Sequence, residues 1–316
     1  MEFCKKNLST GVRVPAIGFG TGVVRRYTRN PYLFSKVYLR YVLSSVKHMK
    51  IHKGLYSDLH MPNIVAEAAR KGYRLFDSGR IYAYSEPSIG KGLAKTNIAR
   101  ENFFLTTKIS DMDITRNSSP ETVEGNLEDS LRYLNAEYID AYLLHWPHGK
   151  WLDIYHQMES VYQKRRARAI GVCNFQLEHF RRLESEGGIR PMLCQLELHP
   201  LHSRRAIREY CDEHNIVIMA HTPTGRMCEK IRMNPALQEL AKKYGKSITQ
   251  IILRWHYQNG IIPIVATTSL THMEENMDIF NFDISQEDVG KIEDLDEQYV
   301  MLPGNGIDDP NYIYNL

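Results

Sequence analysis

Four residues of unlike chemistry stand out in the first half of the 316-residue chain: Asp77, Tyr82, Lys108 and His145. A carbonyl that accepts a hydride also needs a proton on its oxygen. A free tyrosine titrates near pH 10, so alone it is a poor acid-base group at neutral pH. A neighbouring ammonium stabilises the phenolate, and a carboxylate can hold that ammonium in place. An imidazole can bond the substrate oxygen and fix its orientation. Tyrosine, lysine, aspartate and histidine therefore form a complete set for reducing a carbonyl. Taken singly, each has a packing explanation. Asp77 could cap a turn, Tyr82 could sit in a core beside Tyr84, Lys108 could be a surface charge, and His145 could be a satisfied buried imidazole.

The segments around them decide between these readings. Short apolar runs close on polar residues: 73–76 on Asp77, 103–107 on Lys108, 138–144 on His145, and 169–172 on Cys173 and Asn174. The runs 192–196, carrying Gln195, 216–220, closing on His221, and 261–265, closing on Ala266, continue the series. Between them lie stretches with helical periodicity, such as 120–134 with Val123, Leu127, Leu131 and Leu134 on one face. Segments 154–163 and 236–244 read the same way.

Alternating strands and helices imply a parallel sheet with helices outside it. An early strand at 15–20 brings the total to about eight, the number at which a parallel sheet closes into a barrel. The expected fold is an α/β (β/α)₈ TIM barrel in a single domain, 1–316. An open doubly wound sheet is the runner-up. Its Gly-rich turn would be Gly18-Phe19-Gly20-Thr21-Gly22, but no helical pattern follows promptly. In a barrel, Asp77, Lys108, His145, Asn174, Gln195 and His221 converge on one rim.

An insertion of about 24–58 follows the first barrel strand. Within it Arg25, Arg26, Arg29, Lys36, Arg40, Lys47, Lys50 and Lys53 alternate with tyrosines, and no acid falls among residues 25–53. The plain reading is a solvated basic face. Its position at the mouth also suits a lid for an anionic ligand. The formal net charge of +3 is too small to imply a nucleic-acid partner, and no apolar run is long enough to span a bilayer. The five cysteines are scattered without a CxxC pair, and the N-terminus lacks an apolar leader. These features fit a reducing, cytoplasmic setting and no zinc or other metal site.

The motifs resemble those of the aldo-keto reductase superfamily over nearly the whole chain outside the insertion. Gly72-Tyr73-Arg74-Leu75-Phe76-Asp77-Ser78-Gly79 followed by Tyr82 resembles GYRxxDTAxxY. Thr106-Thr107-Lys108 matches the lysine strand, and residues 127–147 resemble the signature that ends in the family's histidine. Residues 168–175 resemble RAIGVSNF, and Gln195-Leu196-Glu197-Leu198-His199-Pro200 resembles QxExHP.

The resemblance implies an NAD(P)-dependent oxidoreductase that reduces an aldehyde or ketone to an alcohol. Tyr82 would be the general acid, tuned by Lys108, which Asp77 holds, while His145 orients the carbonyl. Asn174 and Gln195 would bind the nicotinamide carboxamide, with Thr21, Gly22 and Asp77 nearby. Cys173 replaces a carboxamide-binding serine, and His221 replaces a tyrosine that stacks on the ring. Thr222 and Thr224 in the next loop, Thr267, and the pair Glu275-Asn276 complete the expected cofactor contacts.

NADP(H) is the family default. Ala266 and His272 stand where NADPH-preferring members carry cations, so NAD(H) is the alternative. Arg226 is the candidate replacement cation or pyrophosphate contact. Trp146 and Trp151 are expected to line the substrate pocket with His145, joined by Tyr84 and His148, and a C-terminal tail with Tyr312 and Tyr314 could fold over the mouth. The competing function is a cofactor-binding regulatory or scaffold protein with little turnover.

Overall fold

The computed structural model describes residues 5–22, 53–82, 85–110, 113–114 and 122–301. An antiparallel hairpin of β1 (Lys5–Asn7) and β2 (Arg13–Pro15) leads into the first barrel strand, β3 (Gly18–Gly20). The remaining strands are β4 (Leu75–Asp77), β5 (Phe104–Ile109), β6 (Ala141–Leu144) and β7 (Ile170–Cys173). They continue with β8 (Leu193–Glu197), β9 (Val217–His221) and β10 (Ile262–Val265). Strands β3 to β10 are parallel and close into a barrel, β10 pairing with β3. The (β/α)₈ expectation is met, and the open sheet is set aside.

Seven of these strands coincide with the apolar runs of the sequence. Most of their residues are buried on both faces, which is why they read as continuous apolar runs rather than alternating ones. Close packing leaves no room for a side chain at Gly18. A Cβ there would lie 2.4 Å from both Ile264 Cδ1 and Leu75 Cδ2.

Helices follow the strands on the outside. They include Lys53–Arg70 after β3, Ser85–Leu93 after β4, Val123–Leu134 after β5, Trp151–Gln163 after β6, and Leu177–Ser185 after β7. Local sequence sets their ends. Thr122 caps Val123–Leu134 by accepting from Gly125 N at 3.1 Å, and Asn135 ends it in the left-handed conformation. Ser247 and Gln250 form a reciprocal capping box on Ile248–Gln258. The helix Lys53–Arg70 already runs through residues 53–58, which the sequence analysis assigned to the insertion. Residues 25–52 of the basic stretch, Tyr84, Tyr312 and Tyr314 lie outside the described residues.

The register fixes what meets at the rim. Asp77, the last residue of β4, pairs with Thr106; Cys173, the last of β7, pairs with Gln195; and Glu197 pairs with His221 at the ends of β8 and β9. The hairpin lies at the opposite end, where Lys6 approaches Gly260 just before β10. No described helix is long and apolar enough to cross a membrane.

Candidate active site

Lys108 lies within β5 and is fully buried. Its ammonium donates to Asp77 Oδ1 and Oδ2, each at 2.7 Å, and to Ser78 O at 2.6 Å. Burial alone would push the lysine pKa down. The Asp77 carboxylate, with Tyr82, outweighs burial and leaves it raised, so the ammonium keeps its charge. Its three protons thus have three oxygen partners. Its effect on Tyr82, whose ring centroid is 5.4 Å away, is through charge.

Asp77 Oδ1 also accepts from Thr106 Oγ1 at 2.6 Å and Gln195 Nε2 at 3.0 Å. Thr106 and Lys108 share a face of β5 because side chains alternate along a strand. Thr106 and the Ser78 carbonyl, which stand in the motifs without an expected role, are thus part of the site. The Thr106-x-Lys108 spacing is the signal that could have found Thr106.

Tyr82 Oη lies 3.1 Å from His145 Nε2, and the two rings meet edge to face with centroids 5.4 Å apart. His145 follows β6, and its N–H donates to Ile109 O at 2.7 Å. Two glycines shape the tyrosine's seat. A Cβ on Gly22 or Gly79 would come within 3.2 Å of the Tyr82 ring. Gly79 replaces the alanine of the family pattern, so this departure gives the ring more room.

Asn174 sits just past β7 with φ at 61°, a conformation asparagine tolerates well. Its Nδ2 donates to His145 O at 3.1 Å, and its Oδ1 meets His221 Nε2 at 3.2 Å. The other His221 nitrogen, Nδ1, lies 3.3 Å from Thr222 Oγ1. Burial pushes the His221 pKa down to about 4, opposed by Glu197 and reinforced by Lys108. Burial likewise pushes the Cys173 thiol up to about 12, so it remains a weak hydrogen-bonding thiol.

Thr21 is spent on architecture. Its hydroxyl and its N–H both reach Asp77 O, at 2.9 and 3.1 Å, and the hydroxyl also contacts Ser85. Trp146 is stacked between His145 and His148, with centroids 5.6 and 5.9 Å away. Trp151 is buried at a helix start, edge-on to Phe175 and His179, and belongs to the core cluster. Its surface is committed to packing rather than to a pocket wall beside Tyr82.

The groups present suit a nicotinamide. Two primary amides lie on adjacent strands, Asn174 just past the end of β7 and Gln195 within β8, and a neutral imidazole lies beside them. The loop after β9 has left-handed φ values at Thr222, Gly225, Arg226 and Met227, which turns successive backbone groups through a tight bend; Thr224 O accepts from Met227 N at 2.9 Å. At the far end, Ser269 caps the helix Leu270–Met277, and Thr267 Oγ1 accepts from Ser269 N at 3.1 Å. Ala266 and His272 are exposed there, and Glu275 is half-buried. Asn276 is buried there, and the nearby Tyr73 hydroxyl donates to Met273 O at 3.3 Å.

The aldo/keto reductase family model matches residues 47–297. The chain belongs to the aldo/keto reductase family. Among its relatives, the 9,11-endoperoxide prostaglandin H2 reductase of Trypanosoma cruzi is 38% identical over 237 residues, spanning 74% of this chain and 82% of the relative. The glyoxal reductase of Bacillus subtilis is 37% identical over 234 residues, with the same coverage. A crystal structure of a Bombyx mori aldo-keto reductase in complex with NADP matches with a TM-score of 0.80 at 27% identity, covering 99% of each chain. The resemblance read from the motifs is thereby established. This aldo/keto reductase is an oxidoreductase that reduces a carbonyl to an alcohol with a nicotinamide cofactor.

Proposed function

We propose that Tyr82 is the general acid of this reductase, that Lys108 and Asp77 set its charge environment, and that His145 holds the carbonyl oxygen. The observation that carries the reading is the 3.1 Å approach of Tyr82 Oη to His145 Nε2 in front of the buried Lys108–Asp77 pair. A bound nicotinamide supplies the hydride. The substrate oxygen sits within reach of the Tyr82 hydroxyl and the imidazole. As the carbonyl carbon gains the hydride, the Tyr82 proton passes to the oxygen, giving the alcohol. The phenolate left behind faces the Lys108 charge and regains a proton from solvent. Asn174 and Gln195 hold the carboxamide, beside Cys173 and His221. The loop with Thr222 and Thr224 follows the phosphates, and Thr267, Glu275 and Asn276 meet the adenosine end.

NADP(H) is the cofactor this reading starts from. Among residues 264–276 there is no lysine or arginine. NADH is therefore accepted as well, because a 2′-phosphate gains little from hydroxyls alone where a charged clamp is missing. A small aldehyde or α-dicarbonyl is the substrate class, in line with the glyoxal and methylglyoxal reductases among the relatives. The described cysteines Cys173, Cys194, Cys211 and Cys228 are free thiols, which suits a reducing, cytoplasmic compartment.

The test is a side-by-side fluorescence titration with NADPH and NADH, followed by turnover of methylglyoxal with each. The reading expects binding and turnover with both, NADPH favoured by less than about tenfold. Binding without turnover would instead favour the regulatory or scaffold reading.

A further inference from the structure

We propose that His221 is a positioning residue that acts through Asn174 on His145, rather than only a ring against the cofactor. This rests on the assignment of His145 above. The hydrogen-bond directions follow from atom types. His145 O can only accept, so the Asn174 nitrogen must be the group 3.1 Å from it. Asn174 Oδ1 then faces His221 and can only accept, so His221 Nε2, 3.2 Å away, carries the proton. With Nε2 protonated in the neutral ring, Nδ1 accepts from the Thr222 hydroxyl at 3.3 Å. One tautomer satisfies the whole chain, from Thr222 through His221 and Asn174 to the His145 carbonyl.

The far end of this relay is the acid-base pair. His145 is held by both backbone groups, its N–H on Ile109 O at 2.7 Å and its C=O on Asn174, and its imidazole then meets Tyr82. Asn174 is itself anchored, since its N–H donates to Gln195 O at 2.9 Å. The second lone pair on Asn174 Oδ1 stays available to a carboxamide N–H. His221 therefore fixes which face of Asn174 meets the cofactor and how firmly His145 is gripped. A tyrosine or phenylalanine ring at 221 has no ring nitrogen with which to make this bond.

Neutrality of the ring is a condition of the relay. The groups facing His221 are Glu197 from β8, His199 beyond it, Lys108 from β5 and Asp77 from β4. Burial, helped by Lys108 and His199, outweighs Glu197 and Asp77 and holds the imidazole neutral down to about pH 4, so the relay persists throughout the neutral range.

Two variants separate the relay from stacking. His221→Phe keeps a flat ring and loses both nitrogens. His221→Gln loses the ring but keeps an N–H donor that can reach Asn174. The relay predicts that His221→Phe lowers kcat roughly 3- to 10-fold, the worth of one neutral buried hydrogen bond. It predicts that His221→Gln, although it also gives up the ring's contact with the cofactor, keeps a clearly higher kcat than His221→Phe. Stacking alone predicts the reverse order, which would overturn the proposal. In the double variant with Asn174→Gly, chosen because glycine accepts the positive φ, the His221→Phe effect should vanish. Full additivity would also overturn it. A readout independent of turnover is the Asn174 side-chain amide resonance of the cofactor-free protein. His221→Phe should shift it and His221→Gln should largely restore it; an unmoved resonance contradicts the relay. If the wild-type protein lacks turnover, the catalytic assignment fails, and this resonance still decides the relay.

Discussion

Replacing Lys108 by methionine tests how the site handles charge. The substitution keeps the volume of the stem and removes an ammonium 5.4 Å from the Tyr82 ring centroid. At an effective dielectric near 20, a unit charge at that separation interacts with a developing phenolate by about 3 kcal/mol. Every ~1.4 kcal/mol is a factor of ten in rate, so kcat should fall on the order of 10²-fold. Cofactor affinity should change little, because the ammonium spends its three hydrogen bonds on Asp77 and Ser78 oxygens. The same substitution strands a buried carboxylate, and breaking such a pair costs about 3–5 kcal/mol of stability. Adding Asp77→Asn removes the stranded charge. The double variant should recover much of the melting temperature and none of the rate. Steady-state turnover at saturating cofactor and aldehyde, beside thermal melts of each variant, makes the comparison. A folded Lys108→Met protein with kcat within threefold of wild type would refute the electrostatic role.

Acid should destabilise the barrel through two buried histidines, His202 and His256, and the half-buried His221. Burial pushes His202, His221 and His256 down to about 4 from an ordinary 6.5. The unfolded chain binds protons below pH 6.5 while the folded one does not until about pH 4. Stability is thus full above pH 6.5 and lost as pH falls toward 4, by roughly 1 kcal/mol per histidine between pH 7 and 5.5. Thermal melts across that range should show a falling midpoint, and a flat profile would contradict the assignment. Restoring cations with Ala266→Lys and His272→Arg should tighten NADPH about tenfold or more and leave NADH nearly unchanged, as titrations with each cofactor would read. Equal effects on both cofactors would move the 2′-phosphate away from residues 266–272.

The barrel was legible in the sequence because buried parallel strands leave unbroken apolar runs, and 192–196 or 261–265 could hardly be anything else. The hairpin was not. Lys5–Asn7 and Arg13–Pro15 are three residues each and carry no apolar period; the pair depends on the chain reversal at Gly11, with φ at 78°. Asp77, Tyr82, Lys108 and His145 were found by type and motif, but their arrangement depends on how β4, β5 and β6 pair. Thr106 reaches Asp77 only because β4 and β5 pair in that register. The bond between His221 and Asn174 joins the ends of β9 and β7 across β8, so only the folded sheet reveals it. Trp151 was expected in the pocket wall, but an aromatic at a helix start serves a core or a pocket equally well. Here Phe175 and His179 take it into the core.

The central claim is that Tyr82 gives the proton. Tyr82→Phe removes one oxygen and leaves the Lys108–Asp77 pair intact. Single-turnover reduction of methylglyoxal by the cofactor-loaded variant should slow by 10²-fold or more, the scale of a lost general acid, with cofactor affinity within about threefold of wild type. A rate within tenfold of wild type, at unchanged cofactor affinity, would contradict the account.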